Sequence, residues 1–244
     1  MVSNFDRLLP GDTFDPNHAV RVRLGRGFAF DPERKVVVTR NTGIVRLLTR
    51  KEQDMEVGTV SLLNRTRRYV PRVNDVVVGV ITDRFANLFR VDIGAQSTAT
   101  MSNLASNKAT KLSPLTLAIG DVVYCRVVAA DGDMDAEVTM KDPTTSGEGI
   151  FGQLKGGYLF YVSRDVTDVL LSRDEEAASL VSRLKECLPP HELALGYNGA
   201  VYAIGEAKTV LLARRLLTSM QGRMPALLVD PKLVGTPSTH WGSA

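Results

Sequence analysis

The sequence predicts a mainly β protein with a C-terminal α+β domain, and three observations carry that prediction. Short runs of β-branched and aromatic residues recur as far as Lys141, with glycine, proline, asparagine or aspartate between them. Several of these runs alternate apolar and polar residues, the period of a strand with one face buried. Beyond Gly147 and Gly149 a helical spacing of apolar residues appears, at Ala177, Leu180, Val181, Leu184, Cys187 and Leu188.

Residues 1–66 read as an N-terminal small β domain. In RVRLG (21–25), Arg21 and Arg23 alternate with Val22 and Leu24, which places the two arginines on one face of a strand. Further strands are expected in GFAFD (27–31), KVVVTR (35–40), GIVRLLTR (43–50) and GTVSLL (58–63), with turns at Asp31-Pro32, Asn41-Thr42-Gly43 and the polar KEQDME segment. The expected arrangement is a single small antiparallel sheet without helices.

Residues 67–144 change rhythm after Arg65, Arg67 and Arg68. VVVGVIT (76–82), LFRVDIG (88–94), STATMSNL (97–104), DVVYCRVVAA (121–130) and EVTMK (137–141) give five strands. Five short strands in so few residues is the size of a five-stranded OB barrel, an architecture used for single-stranded nucleic acid. The connection at 105–120 is the longest in this segment and reads as a binding loop carrying Lys108 and Lys111.

Residues 145–224 follow the order β-α-α-β-β-α of a KH-type domain. YLFYVS (158–163) is a strand and DVTDVLL (165–171) a short helix. Ser172 to Glu175 has the spacing of a capping box opening the next helix, which Pro189-Pro190 ends. ELALG (192–196) and AVYAIG (200–205) are strands, and 207–220 is the last helix. Residues 225–244, with Pro225, Pro231 and Pro237, are expected to form a flexible tail.

Composition narrows function more by exclusion than by assertion. The 244 residues are 44% hydrophobic and 23% charged, values of an ordinary globular chain rather than a disordered or membrane-embedded one. No apolar run is long enough to span a membrane, and the opening MVSNFDRLLPGD lacks a basic stretch followed by an apolar block, so an intracellular chain is expected. Cys125 and Cys187 are too few and too far apart for a disulfide framework or a zinc site. The net charge of +3 lies wholly in residues 1–66, which hold 11 Lys and Arg against 8 Asp and Glu. Weak or shared binding of a polyanion is therefore expected, because phosphate neutralisation supplies most of the affinity for nucleic acid.

No catalytic constellation is legible, and neither a metal nor a cofactor is expected. His18, His191 and His240 stand outside any nucleophile or metal motif, and neither a Walker loop nor G-x-G-x-x-G occurs. Asp131, Asp133 and Asp135 invite a calcium loop, but Ala136 stands where its glycine is required and Asp142 where its closing glutamate belongs, so a hairpin turn is the better reading.

Two sets of residues remain. Arg84, Phe85, Phe89 and Arg90 cluster around the first barrel hairpin, and Lys108, Lys111 and Arg126 are candidates for the same side. Exposed aromatic faces beside cations are what single-stranded RNA requires, although Phe85 and Phe89 could equally belong to the core. GYNG (196–199) has the spacing of a KH backbone clamp, but that clamp lies between the first two helices, whereas Gly196, Asn198 and Gly199 lie between two strands. A structural turn built on Asn198-Gly199, of type I′ with both residues at positive φ, fits better. Arg21, Arg23, Arg65, Arg67 and Arg68 are candidates for contacts with partner proteins or RNA, or are solvated surface.

Taken together, LLPGD (8–12), RYVPRVNDVVVGVIT (68–82), FRVDIG (89–94), ATK (109–111), IGDVVYCRVV (119–128) and GYNGAVY (196–202) give the chain a resemblance to the cap subunits of the RNA exosome. The resemblance covers about residues 8–220. It implies a non-catalytic subunit seated on a ring of RNase-PH-like proteins beside other cap subunits, holding the ring together and guiding single-stranded RNA to its central pore for separate nucleases. It also implies residence in nucleus, nucleolus and cytoplasm. The alternatives are a purely ring-cementing subunit, an OB-containing translation or ribosome-assembly factor, and a stand-alone ribonuclease. KLSPLTLA after ATK is less basic than a strong RNA contact would be.

Overall fold

A computed structural model describes residues 6–14, 21–52, 55–63, 68–107, 109–110, 112–142, 149–172, 174–188 and 192–229. The chain divides into two compact units, Met1–Arg65 and Thr66–Ala244.

The first unit is built from β1 (Arg7–Leu8), β2 (Thr13–Phe14), β3 (Arg21–Leu24), β4 (Phe28–Asp31), β5 (Val36–Thr39), β6 (Gly43–Glu52) and β7 (Met55–Leu63). These form two small sheets, β1-β6-β7-β3 and β2-β5-β4, rather than the single antiparallel sheet expected, and β3 runs parallel to β7. Four residues of the polar KEQDME segment belong to strands, since Lys51 pairs with Glu56 and Glu52 with Met55, which makes the β6–β7 pairing long; Gln53 and Asp54 lie outside the described residues. Leu8, Phe14, Phe28, Val37, Val45, Val60 and Leu62 make the core, with the Phe14 and Phe28 rings 5.4 Å apart. The LLPGD turn is held by buried Thr39, whose hydroxyl lies 2.6 Å from the Leu9 carbonyl and 2.8 Å from that of Asp12.

The second unit opens with a closed barrel of β8 (Val76–Arg84), β9 (Leu88–Asp92), β10 (Ala99–Ser102), β11 (Val122–Ala129) and β12 (Glu137–Thr139). Closure follows from β12, which pairs antiparallel with β11 and in parallel with β10 at Thr100 and Glu137, completing the OB order. Inward residues Val77, Ile81, Phe89, Val91, Met101, Val123, Cys125 and Val138 fill it. A short strand, β13 (Gly152–Leu154), adds to the outer edge of β11 and has no counterpart among the expected elements.

The α+β lobe follows as β14 (Gly157–Tyr161), α1 (Arg164–Leu170), α2 (Glu175–Cys187), β15 (Glu192–Leu195), β16 (Ala200–Ile204) and α3 (Ala207–Met220), the KH-type order, with an antiparallel sheet β14-β16-β15. Two local expectations are corrected. The N-cap position of α2 is Asp174, not Ser172, whose hydroxyl instead donates to the Val169 carbonyl at 2.6 Å and finishes α1. The tail expected from 225 is corrected over 225–229, because Met224–Val229 forms α4, with Met224, Leu227 and Leu228 buried beside α1 and α2; residues 230–244 lie outside the described residues. Apolar residues at three- and four-residue spacing outweigh Pro225, which occupies a first-turn position where its missing N–H costs nothing.

Candidate nucleic-acid interface

The barrel has a covered side and an open side. Outward residues of β8 and β11, namely Val78, Val122 and Tyr124, pack against Ala200, Tyr202 and Leu159 of the lobe. The outward residues of β9, Leu88, Arg90 and Asp92, are exposed, while Phe89 and Val91 point inward.

Phe85 sits in the β8–β9 turn at 51% exposure, and the Arg90 guanidinium carbon stands 5.9 Å from its ring centroid. The Arg90 Nη1 also lies 3.5 Å from the Thr98 hydroxyl, which steers it along the open face. Arg84 is exposed at the end of β8. A bulge in β8 between Ile81 and Asp83 changes which residues face outward, so that Asp83 lies opposite Arg90 on the open side.

Two expected members leave this group. Phe89 is 2% exposed and belongs to the barrel core, because its strand parity places it with Val91. Arg126 pairs with Val76, at the opposite end of β8 from Arg84, and its Nη1 donates to the Asn74 carboxamide at 2.7 Å. Lys108 and Lys111 lie outside the described residues. The connection that carries them is partly core, since Leu117 is buried and Leu115 packs against the barrel.

The open side also holds a groove of about 430 Å³ that sequence reasoning missed, lined by Asn87, Leu88, Thr100, Ser102, Glu137 and Lys141 among others. Its floor was legible in principle: in ATMS, Ala99 and Met101 turn inward, which leaves Thr100 and Ser102 outward. The contribution of β12 was not, because it depends on closure of the barrel.

GYNG is engaged within the fold. Its turn is a three-residue loop with Gly199 alone at positive φ (81°), closed by Gly199 N–H to the Gly196 carbonyl at 3.0 Å and Gly196 N–H to the Ala200 carbonyl at 2.9 Å. The type I′ turn is thereby corrected to a hairpin ending in a left-handed glycine. The Asn198 amide donates to the Val78 and Ile93 carbonyls at 2.7 and 3.0 Å, and Tyr197 N–H donates to the Val76 carbonyl at 2.8 Å. A Cβ at Gly196 would stand 2.7 Å from the Val78 nitrogen, so only glycine lets the loop reach the barrel. Nearby, Tyr124 donates to the Leu195 carbonyl at 3.2 Å, and burial first, then Cys125 and Tyr197, push its phenol up to about 12. Burial alone pushes the Cys125 thiol up to about 12, so it is an inert core group.

The family profile described as exosome complex component RRP40, S1 domain, matches residues 69–152, from Tyr69 at the barrel entry to the start of β13. Exosome complex component RRP40 of Saccharomyces cerevisiae is 30% identical over 210 residues, covering 84% of each chain. The Schizosaccharomyces pombe protein of that name is 35% identical over 201 residues, covering 78% of this chain and 77% of its own. The chain belongs to the RRP40 family.

The remaining candidates sit as follows in this RRP40 family member. Arg21 is in β3 with its side chain outside the described residues, Arg23 is exposed on the same strand, and Arg65 and Arg67 are outside the described residues. Arg68 is exposed, and its carbonyl accepts a hydrogen bond from Arg164 Nη1 at 2.9 Å. Asp131, Asp133 and Asp135 form an exposed turn between β11 and β12, as a hairpin requires. Among the described residues, no group of three or more His, Cys, Asp and Glu side chains is placed to hold a metal ion, and no helix is long and apolar enough to cross a membrane.

Proposed function

We propose that this protein is a non-catalytic, RNA-binding cap subunit of the 3′→5′ RNA exosome, which steadies an RNase-PH-like ring and leads single-stranded RNA to its pore. The observation that carries the reading is the exposed Phe85 ring under Arg90 on the open side of an S1-type barrel. An aromatic face beside a guanidinium offers a base a stacking surface and its phosphate a charge-assisted partner. Membership of the RRP40 family supports the assembly. On this reading the barrel (67–144) contacts RNA through Arg84, Phe85, Arg90, Lys108 and Lys111. The lobe (145–224) braces the barrel, and the N-terminal domain (1–66) with Arg21, Arg23, Arg65, Arg67 and Arg68 meets ring subunits, other cap subunits or RNA. Separate exosome nucleases cleave, in nucleus, nucleolus and cytoplasm.

The test is purification of the tagged chain with its partners, followed by ultraviolet crosslinking to RNA. Ring subunits should co-purify, crosslinks should map to residues 84–90, and the isolated chain should shorten no RNA with magnesium or phosphate present. A ring-cementing subunit without RNA contact is the second reading, favoured by the engagement of GYNG inside the fold; it predicts crosslinks to protein only.

A further inference from the structure

The groove on the open side contains a group that phosphate binding does not explain. Glu137 is exposed on its wall, and its carboxylate has no ion pair or hydrogen bond among the described residues. Its position is set by the backbone: Glu137 lies opposite Thr100 in the parallel β10–β12 pairing, and Thr100 N–H donates to the Ala136 carbonyl at 2.8 Å. Thr100 and Ser102 face the same space from the floor, Asn87 stands at the hairpin end, and Lys141 lies beyond Glu137 along the chain. The Asn87 backbone is held there, since its carbonyl accepts Asn103 N–H at 3.0 Å while the Asn103 amide donates to the Ala86 carbonyl at 3.2 Å.

A free carboxylate beside a track for a polyanion repels phosphate, so what it favours must be a donor. The donors that single-stranded RNA presents at a base edge are ring N–H and exocyclic amino groups. The volume of about 430 Å³ suits one nucleotide, with the hydroxyls and amide of the floor able to give or accept and Lys141 able to meet the adjoining phosphate. Accordingly, we infer that this groove reads one base of the bound strand, with Glu137 accepting from an exocyclic amino group. At the exocyclic position cytosine offers N4–H₂ where uracil offers the O4 acceptor, which the carboxylate repels; uracil's one edge donor, N3–H, lies beside that oxygen, so a carboxylate held at the exocyclic position favours cytosine over uracil. The inference rests on the RNA-binding reading of the open face.

Cytosine and uracil are the informative pair because both are pyrimidines of the same size that differ at the exocyclic position, and the comparison with Glu137→Gln separates the carboxylate's share from any difference in their stacking. The experiment measures binding of the full chain to labelled oligo(C) and oligo(U) of equal length at one low salt concentration, for the wild type, Glu137→Gln and Lys141→Ala. The wild type should prefer oligo(C) by about five- to tenfold, the range of a single base-edge contact. Glu137→Gln, which supplies donors as well as an acceptor, should bring the ratio close to one. Lys141→Ala should weaken both oligomers alike and leave the ratio standing. Glu137 is exposed, and unchanged melting of the variant would confirm that it folds. Equal wild-type binding of the two oligomers, or a ratio untouched by Glu137→Gln, overturns the inference and leaves RNA binding intact. Failure of the wild type to bind either oligomer overturns the RNA-binding reading, and the inference with it.

Discussion

The two sides of the barrel are made from the same kind of strand and have opposite fates. On β8 and β11 the outward positions are Val78, Val122 and Tyr124, which the lobe covers. On β9 and β10 they are Leu88, Arg90, Asp92, Thr100 and Ser102, of which Thr100 is half-buried and the others are exposed. The inward residues differ little between the sides. What separates the two sides is therefore the chemistry of alternate residues: apolar positions against the lobe on one face of the barrel, and on the other the exposed polar positions proposed above to meet RNA.

The largest expected effect separates Phe85 from Phe89, which stand four residues apart, one exposed beside the open side and one in the barrel core. Phe89→Ala removes a ring from a filled barrel and should cost about 3–5 kcal/mol, read as a large fall in the denaturation midpoint. Phe85→Ala removes a half-exposed ring, should leave the midpoint within about 0.5 kcal/mol, and should weaken RNA crosslinking at residues 84–90. Equal destabilisation by both would erase the distinction between core and platform.

On the covered side, Gly196→Val tests the clasp. Its Cβ would meet the Asn198 carboxamide and the Val78 backbone, so either the amide loses its bonds to the Val78 and Ile93 carbonyls or the loop lifts from β8. The expected cost is about 3 kcal/mol, from buried polar groups left unsatisfied. Because the open side is untouched, RNA binding per folded molecule should persist. A variant that melts like the wild type yet loses RNA would make GYNG a nucleic-acid clamp.

These two variants also mark where the sequence was legible. The barrel strands, the order of the lobe and the helical stripe follow from local period and turn chemistry, and the structure reproduces them. Phe89 was ambiguous because its strand parity is fixed only once the β8 bulge and the pairing of Ile81 with Val91 are known. Arg126 was misplaced because a position on the fourth barrel strand does not reveal which end of β8 it meets until the register with Val76 is known. The parallel pairing of β3 with β7, the strand β13 and the helix α4 all depend on distant partners, which local propensity does not encode. The groove is the clearest case, since Glu137 meets Thr100 only because the barrel closes.

A smaller effect again falls on the covered side. Tyr124 and Cys125 ionise only near 12 in the folded chain, against ordinary values of 10.0 and 9.0. Below about pH 8 both are neutral in folded and unfolded chains. Above it the unfolded chain releases these protons first, so stability is present at neutral pH and lost as pH rises towards about 12, by about 1 kcal/mol per pH unit for each group. Thermal melting followed from neutral to strongly alkaline pH should show the decline, and Tyr124→Phe should make it shallower. An unchanged slope in that variant would mean that the Tyr124 phenol is not sealed by the lobe.

The smallest change in stability belongs to two exposed arginines, Arg90 on the open side and Arg84 at the end of β8. Arg84→Ala with Arg90→Ala should leave the melting temperature almost unmoved, because exposed charges contribute little to folding. Their contribution should appear in the salt dependence of RNA binding, since each phosphate contact on a single strand releases counterions and contributes about 0.7 to the log–log slope. Two lost contacts should thus flatten the slope by up to about 1.4. Arg90→Lys separates charge from shape: lysine keeps the charge and the slope, but it lacks the planar guanidinium that lies over Phe85, so affinity should still fall. If Lys at position 90 restores both slope and affinity, Arg90 acts as a point charge and the Phe85 ring binds its base without help. If the double alanine variant keeps the wild-type slope, RNA does not run along β9, and the open side must serve a protein partner instead.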